Sequence, residues 1–164
     1  MLVVVSIGCL NLLQAAPSLP AWAEALWQAA GLSKTYTRTA YLKPATLPAD
    51  FNGDGKTDLA VLVTDRQQRR GIVILHQGAA APVVLGAGRR FGNGGANFDW
   101  LTDWQVYTSA TAEATVTSAS GDLAGTRTVR LRRPGLLIMA TQDTYAGGIV
   151  YWNGQRYTWI QQGE

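Results

Sequence analysis

The segment from Asp50 to Asp58 carries oxygen-bearing side chains at alternating positions, in the pattern D-x-N-x-D-G-x-x-D. Calcium is a hard cation that takes about six to eight oxygen ligands, and a tight loop can point alternate side chains at one centre. Gly55 permits the sharp turn that such a loop needs. The segment therefore predicts a Ca²⁺ site that its last residue closes directly or through water. The predicted ligands are Asp50, Asn52, Asp54, the backbone carbonyl of Lys56, and Asp58.

A turn rich in Asp, Asn and Gly has a second interpretation, because its side chains can hold it together through hydrogen bonds to the backbone without any metal. An EF-hand is excluded. Its loop needs a bidentate Glu at the twelfth position, and the twelfth residue from Asp50 is Val61, inside an apolar run. Pro44 and Pro48 precede the loop, so the flanking segments are not helical.

The loop reads Asp50-Phe51-Asn52-Gly53-Asp54-Gly55 and is followed by Asp58-Leu59-Ala60-Val61. This arrangement resembles the calcium loops of FG-GAP (VCBS-like) repeats. In that family the loop joins strands and the closing Asp is ninth, which implies the same five ligands here. The match spans Ala49–Val63. We find no second copy of the motif in the chain, and a propeller blade needs neighbours. The whole chain is also similar to small exported bacterial proteins with one such loop and a C-terminal YWNG hairpin, a likeness that implies no activity.

Short apolar runs separated by Gly-rich turns predict a mainly β fold at the α+β boundary. We expect a compact antiparallel sheet of hairpins that is not a full propeller. Leu59–Val63 and Gly71–Leu75 predict one buried hairpin. Asn153-Gly154 predicts another, between residues 148–152 and 155–160. Leu136–Ala140 is predicted to return alongside residues 128–132 after a Pro-Gly turn.

One amphipathic helix is predicted near the N-terminus, over residues 19–30. Ser18 could cap its start, and Gly31 suits the left-handed residue that ends a helix. We expect its apolar face, which packs against the sheet, to contain Trp22, Leu26, Ala29 and Ala30.

Residues 1–16 are predicted to be an export segment, and residues 17–164 a single β-rich domain. The apolar run Leu2–Leu13 has the length of a signal h-region and is too short for a membrane span. No Lys or Arg precedes it, so a buried N-terminal strand or helix is the alternative. The predicted location is extracytoplasmic, that is periplasmic or secreted. Lipid attachment at Cys9, in a loose lipobox, is a further alternative.

The net charge is +3 and the isoelectric point is near 9.2. This surplus is mild, and the arginines fall in scattered groups along the chain rather than in one dense stripe. We therefore expect no nucleic-acid partner and assign the arginines to solvated strand faces and turns.

These features together predict an exported calcium-binding β domain with a structural or ligand-binding role. A glycan or peptide could bind a patch of aromatic side chains, although strand alternation would put half of them in the core. The aromatic residues considered are Tyr145, Tyr151, Trp152, Tyr157 and Trp159. The oligomeric state stays open.

The alternative is an extracytoplasmic hydrolase that acts on glycans through a pair of carboxylates. The chain offers Glu113 with Asp122, or Asp99 with Asp103, and no spacing rule selects either pair. His76 ends an apolar strand without an evident partner, so a structural role is expected for it. No catalytic residue is therefore assigned.

Overall fold

The computed structural model describes residues 16–140 and 146–163. Over those residues the fold is mainly β, with antiparallel sheets and one helix, and it is neither a closed barrel nor a propeller. The predicted fold class is confirmed. In chain order the elements are α1 (Ala21–Ala29), β1 (Tyr36–Arg38), β2 (Thr46–Ala49), β3 (Asp58–Asp65), β4 (Arg70–Leu75), β5 (Val83–Gly86), β6 (Asp103–Tyr107), β7 (Thr111–Thr117), β8 (Leu123–Arg130), β9 (Gly135–Ala140), β10 (Ala146–Trp152) and β11 (Tyr157–Gln162).

Strands β1 to β5 form the first sheet, in which β3 pairs with β1, β2 and β4, and β4 pairs with β5. The second sheet has the order β11-β10-β9-β6, and β7 and β8 form a separate hairpin. Short 3₁₀ turns occur at Leu32–Lys34, after the helix, and at Gly92–Gly94, between β5 and β6.

Strand β3 lies at the centre of the first sheet, and all its residues are buried. Ala60 and Leu62 face the second sheet, whereas Val61 and Val63 face the helix. A strand covered on both faces is a continuous apolar run rather than an alternating one, which is why the pattern was recognisable. The predicted β3–β4 hairpin is confirmed, with Val61 opposite Val73.

The main core lies between the two sheets, so the fold is layered. Leu136 and Ile138 of β9 join Leu62 of β3 in one cluster of buried side chains. On the far face of the second sheet, Ala112 of β7 packs against Ile149 of β10. The order of layers is therefore helix, first sheet, second sheet and β7–β8 hairpin.

The helix begins later than predicted, at Ala21, after Pro20 in an extended conformation. No side chain caps it, so the expected cap from Ser18 is wrong. Its buried face also differs from the predicted one, since it consists of Ala23, Leu26 and Trp27. Gly31 does take the left-handed conformation, at φ 62°, and thereby ends the helix as expected.

The predicted pairing of β8 with β9 is wrong, because β8 pairs with β7 and β9 lies between β6 and β10. The physical reason is that β9 is far more apolar than β8. Most of β8 is exposed, whereas Leu136 and Ile138 of β9 are fully buried in the main core. The turn at Arg133–Pro134 therefore carries the chain from the hairpin into the second sheet.

The C-terminal hairpin of β10 and β11 is present, but its connection is longer than a two-residue turn. Trp152 pairs with Tyr157, so residues 153–156 form the loop. The side chain of Asn153 organises it: its Oδ1 accepts hydrogen bonds from the backbone N–H of Gln155 at 2.9 Å and of Arg156 at 3.0 Å. Asn153 therefore acts as a turn cap.

Replacing Asn153 with Ala should lower the free energy of unfolding by about 1 kcal/mol, because both N–H groups lose their side-chain acceptor. Urea unfolding monitored by far-UV circular dichroism measures this. The exposed Gln155, changed to Ala, is the control and should cost less than about 0.5 kcal/mol. Equal costs for the two variants would contradict the capping role.

Of the predicted export segment, residues 1–16, only Ala16 is among the described residues. Cys9 lies outside them. Among the described residues, no helix is long and apolar enough to cross a membrane.

Candidate functional site

The candidate site is the loop of residues 50–57, which connects β2 to β3. Ala49 pairs with Asp58 across these two antiparallel strands, so the sheet itself fixes both ends of the loop. Phe51 is fully buried in the main core. The loop is thus anchored by a ladder pair at its base and by an aromatic side chain inside the core.

Asp50 organises the first half of the loop by accepting hydrogen bonds from backbone N–H groups. Its Oδ1 accepts from Gly53 at 2.7 Å and Asp54 at 3.1 Å, and its Oδ2 accepts from Gly55 at 2.9 Å. Asn52 Oδ1 accepts from the N–H of Asp54 at 2.9 Å. These bonds are the side-chain-to-backbone pattern that can hold such a turn without metal.

Asp54 is exposed and continues the series, because its Oδ1 accepts a hydrogen bond from the N–H of Lys56 at 2.9 Å. That bond lowers the pKa of Asp54 below its usual range, with a smaller contribution from Asn52. Its carboxylate is therefore ionised at neutral pH, which is the form that a divalent cation binds.

Asp58 differs from the other predicted ligands, because it is fully buried and its oxygens point into the protein. Oδ2 accepts hydrogen bonds from the backbone N–H groups of Phe51 at 3.0 Å and Asn52 at 3.2 Å. Oδ1 accepts one from Gln77 at 3.1 Å, just beyond β4. One carboxylate thus joins the start of the loop to the end of another strand.

His76 extends this buried network into the second sheet. Its Nδ1 lies 2.8 Å from Asp58 Oδ2 without meeting the geometry of a hydrogen bond. Its Nε2 lies 3.2 Å from the hydroxyl of Tyr157 on β11. The two rings are nearly parallel, with centroids 5.7 Å apart. The side chains of Asp58, His76 and Tyr157, hereafter the Asp58 network, therefore connect the loop to both sheets.

Arg133 makes a second connection from the turn between β8 and β9. Its guanidinium donates a 2.5 Å hydrogen bond to the backbone carbonyl of Asn52. It also lies next to Gly53, where an added Cβ would be 3.2 Å from Arg133 Nε. The loop thus bonds directly to Asp58 of β3 and to Arg133 of this turn, and Asp58 in turn connects it to the end of β4 and, through His76, to Tyr157 of β11.

The structure does not gather all of the predicted ligands around one centre. Among the described residues, no three Asp, Glu, His or Cys side chains form a group that could hold a metal ion. Asp54 is exposed and Asp50 and Asn52 are half-buried, whereas Asp58 is fully buried. The side chain of Lys56 is exposed, as expected for a residue predicted to bind through its carbonyl.

The aromatic residues do not form the single surface patch considered above. Tyr151 and Tyr157 are buried, at 8% exposure each, whereas Trp152 and Trp159 are half-buried. Strand alternation puts Tyr157 in the main core and Tyr151 on the opposite face of the second sheet. Tyr145 lies outside the described residues.

The carboxylates considered for a hydrolase are all exposed. Glu113 accepts a hydrogen bond from Thr128 at 2.7 Å, and Asp122 accepts one from Ser120 at 2.6 Å. A general acid needs a buried setting that raises its pKa, and exposure does not provide one.

Asp65, at the end of β3, is buried but has a structural role. Burial raises the pKa of its carboxyl, but hydrogen bonds from the backbone and guanidinium of Arg69 outweigh that effect, and the pKa falls below its usual range. Asp65 therefore caps the turn between β3 and β4.

Sequence reasoning missed three contributors to the loop: Phe51, Tyr157 and Arg133. Phe51 had a usable signal, since an aromatic residue inside a polar loop has to be buried somewhere. Tyr157 and Arg133 had none, because they meet the loop only through long-range pairing of the sheets. His76 had no evident partner in the sequence, whereas the structure places Asp58 and Tyr157 next to it.

None of the family models, curated proteins or solved structures compared with the chain matches it.

Proposed function

We propose that the protein is an exported β domain stabilised by one calcium ion at residues 50–58. The observation that carries the proposal is the position of the loop. It bonds to Asp58 of the first sheet and to Arg133 of the β8–β9 turn, and Asp58 links it to the second sheet through His76 and Tyr157. An ion that rigidifies this loop would therefore brace the contact between the two sheets.

The donor set of the loop fits a hard cation. Each ionised carboxylate has about four lone-pair sites, and the backbone occupies only part of them. Asp50 Oδ2 and Asn52 Oδ1 each accept a single hydrogen bond from the loop backbone, and Asp54 uses only Oδ1 in this way. These oxygens, with the carbonyl of Lys56, would hold the ion.

Asp58 would close the site through water or through Oδ1, the oxygen that accepts a single backbone hydrogen bond. Its main contribution is to hold the backbone of Phe51 and Asn52 in position, which fixes the start of the loop. In this proposal the ion is bound mainly by the side chains of Asp50, Asn52 and Asp54. Asp58 holds the loop in the conformation that binds it.

The proposed role of the ion is structural. Bound calcium offsets repulsion between Asp50 and Asp54 and stabilises the folded state by mass action, by about 2.7 kcal/mol when free calcium is 100 times Kd. Calcium is plentiful outside cells, which agrees with the proposed periplasmic or secreted location. A ligand-binding role, for glycan or peptide, is the other half of the proposal.

Calcium should raise the melting temperature by roughly 5–10 °C relative to chelator, if free calcium is near 100 times Kd. Asp54→Ala should abolish this rise, because it removes an exposed donor without touching the buried Asp58 network. Differential scanning calorimetry measures both effects.

Asp99→Ala is the matched control, since Asp99 is an exposed aspartate outside the loop, and this variant should retain the full calcium response. A wild-type protein whose melting temperature is the same in calcium and in chelator would contradict the proposal. An equal calcium response in Asp54→Ala and wild type would contradict the assignment of the ligand.

A further inference from the structure

Three adjoining cavities, of about 440, 350 and 530 Å³, share the side chains of Asn93 and Gln161. Together they form a groove between the outer edge of β11, strand β7 and the 3₁₀ turn at Gly92–Gly94. We call it the Gln161 groove. Each cavity is within the range of roughly 300–1,000 Å³ typical of small-ligand sites.

Two half-buried indole rings, those of Trp100 and Trp159, line the 350 Å³ cavity, and Trp159 also lines the 530 Å³ cavity. Their centroids are 6.5 Å apart and their planes are nearly perpendicular, at 78°. Trp159 is held against β10, where a Cβ added to Gly148 would come within 2.3 Å of the ring. A fixed aromatic surface of this kind presents apolar area at low cost in side-chain entropy.

Both indole N–H groups are already bonded within the protein. Trp159 Nε1 donates to Gln161 Oε1 at 2.8 Å, and Trp100 Nε1 donates to the carbonyl of Gly94 at 3.0 Å. The rings therefore offer a ligand mainly their carbon surface. The C–H faces of a pyranose ring match such a surface, because they are the apolar part of an otherwise hydroxylated molecule.

The polar part of the groove consists of carboxamides and hydroxyls. Asn93 Nδ2 donates a 2.8 Å hydrogen bond to Gln161 Oε1, which also accepts from Trp159, so the amide pair is pre-organised. Asn93 keeps its Oδ1 as an acceptor for a ligand, and Gln161, whose Nε2 also donates to the carbonyl of Gly163 at 3.4 Å, keeps a second Nε2 hydrogen as a donor. Sugar hydroxyls also both donate and accept, and the hydroxyl of Thr115 in the same groove adds a further group of this kind.

The charges on the groove favour a neutral ligand. Asp122 lines one cavity and Arg127 another, so a single negative and a single positive side chain stand at separate places. An extended peptide that added a strand to β11 would need its open edge. That edge is tied to β7 where Gln162 Nε2 donates to the carbonyl of Glu113 at 3.0 Å.

We propose that the Gln161 groove binds a neutral oligosaccharide, with a pyranose ring against Trp159 and Trp100 and its hydroxyls on Asn93 and Gln161. The inference rests on the ligand-binding half of the proposed function, and it names the site and the ligand class. It does not depend on calcium, because none of the loop residues lines the groove.

The test uses the full chain and a panel of neutral hexasaccharides: cellohexaose, xylohexaose, chitohexaose and maltohexaose. Tryptophan fluorescence and titration calorimetry should show saturable binding of at least one of them, with Kd of about 1 mM or tighter. Asn93→Ala and Gln161→Ala should each weaken it about 3–10-fold through lost hydrogen bonds. Trp159→Ala should weaken it more than tenfold, and Trp159→Phe, which keeps an aromatic ring, should weaken it less.

Gln67→Ala and Trp22→Ala are the matched controls, since both side chains lie outside the groove, and they should bind as wild type does. Failure of every hexasaccharide to bind folded protein at about 10 mM would overturn the inference. Sugar binding that is unchanged in both Asn93→Ala and Gln161→Ala would also overturn the inference. Selection of peptides from a random dodecapeptide library, with no binding of sugars, would overturn it as well. Titrations in calcium and in chelator separate the two proposals, because sugar binding with no calcium effect on melting would refute the metal site alone.

Discussion

Asp58→Ala should lower the free energy of unfolding by about 3–5 kcal/mol, measured in chelator so that no metal contributes. The substitution removes the acceptor of three backbone N–H groups, those of Phe51, Asn52 and Gln77. Each buried N–H left without a partner costs about 1–3 kcal/mol, and His76 also loses a neighbour 2.8 Å from its Nδ1. Removing one member of a buried network commonly has a cost of this size. Urea unfolding at neutral pH measures the loss.

The same substitution at Asp99, which is exposed, should change stability by less than about 0.5 kcal/mol. Asp58→Asn keeps one oxygen acceptor and should lie between the two alanine variants, which keeps the prediction testable if Asp58→Ala fails to fold. If Asp58→Ala costs no more than the exposed control, the Asp58 network is not what holds the loop to the two sheets.

Phe98→Ala should cost about 3–5 kcal/mol, since a large aromatic side chain leaves a cavity that the core fills only in part. Phe98 is fully buried in the cluster that both sheets share, and its backbone N–H donates to the carbonyl of Arg70 on β4 at 2.9 Å. Because this core is common to both sheets, they should still unfold together. Far-UV circular dichroism and tryptophan fluorescence should therefore give one shared midpoint.

Phe91→Ala is the control, because Phe91 is only half-buried at the rim of the same core and should cost less than about 1.5 kcal/mol. Two separate transitions, one for each sheet, would argue against the single β-rich domain predicted for residues 17–164.

The parts of the fold that the sequence predicts well are those with local causes. The β3–β4 hairpin is recognisable because β3 is buried on both faces, and the end of the helix because Gly31 takes a positive φ. The pairing of β9 was not predictable in this way. Strand β9 pairs with β6 and β10 rather than with β8 because this pairing buries Leu136 and Ile138. Which pairing buries them depends on how both sheets are arranged.

The candidate site shows the same division. The alternating spacing predicted that Asp50, Asn52 and Asp54 act together, and each of them does accept a hydrogen bond from the backbone of the loop. The spacing could not indicate that Asp58 would be fully buried and hydrogen-bonded to Gln77, because that contact arises from the pairing of β3 with β4. A nine-residue motif therefore predicts which oxygens are available, but not which of them the tertiary fold has already engaged.

Strand β8 is exposed along nearly its whole length and, in the part of the chain that the structure describes, pairs only with β7. Its outer edge is open to a strand from a second copy of the chain. Arg127 and Arg130 are exposed on that strand, and like charges brought together by edge-to-edge pairing repel each other. These two cations would therefore oppose the joining of sheets between neighbouring molecules.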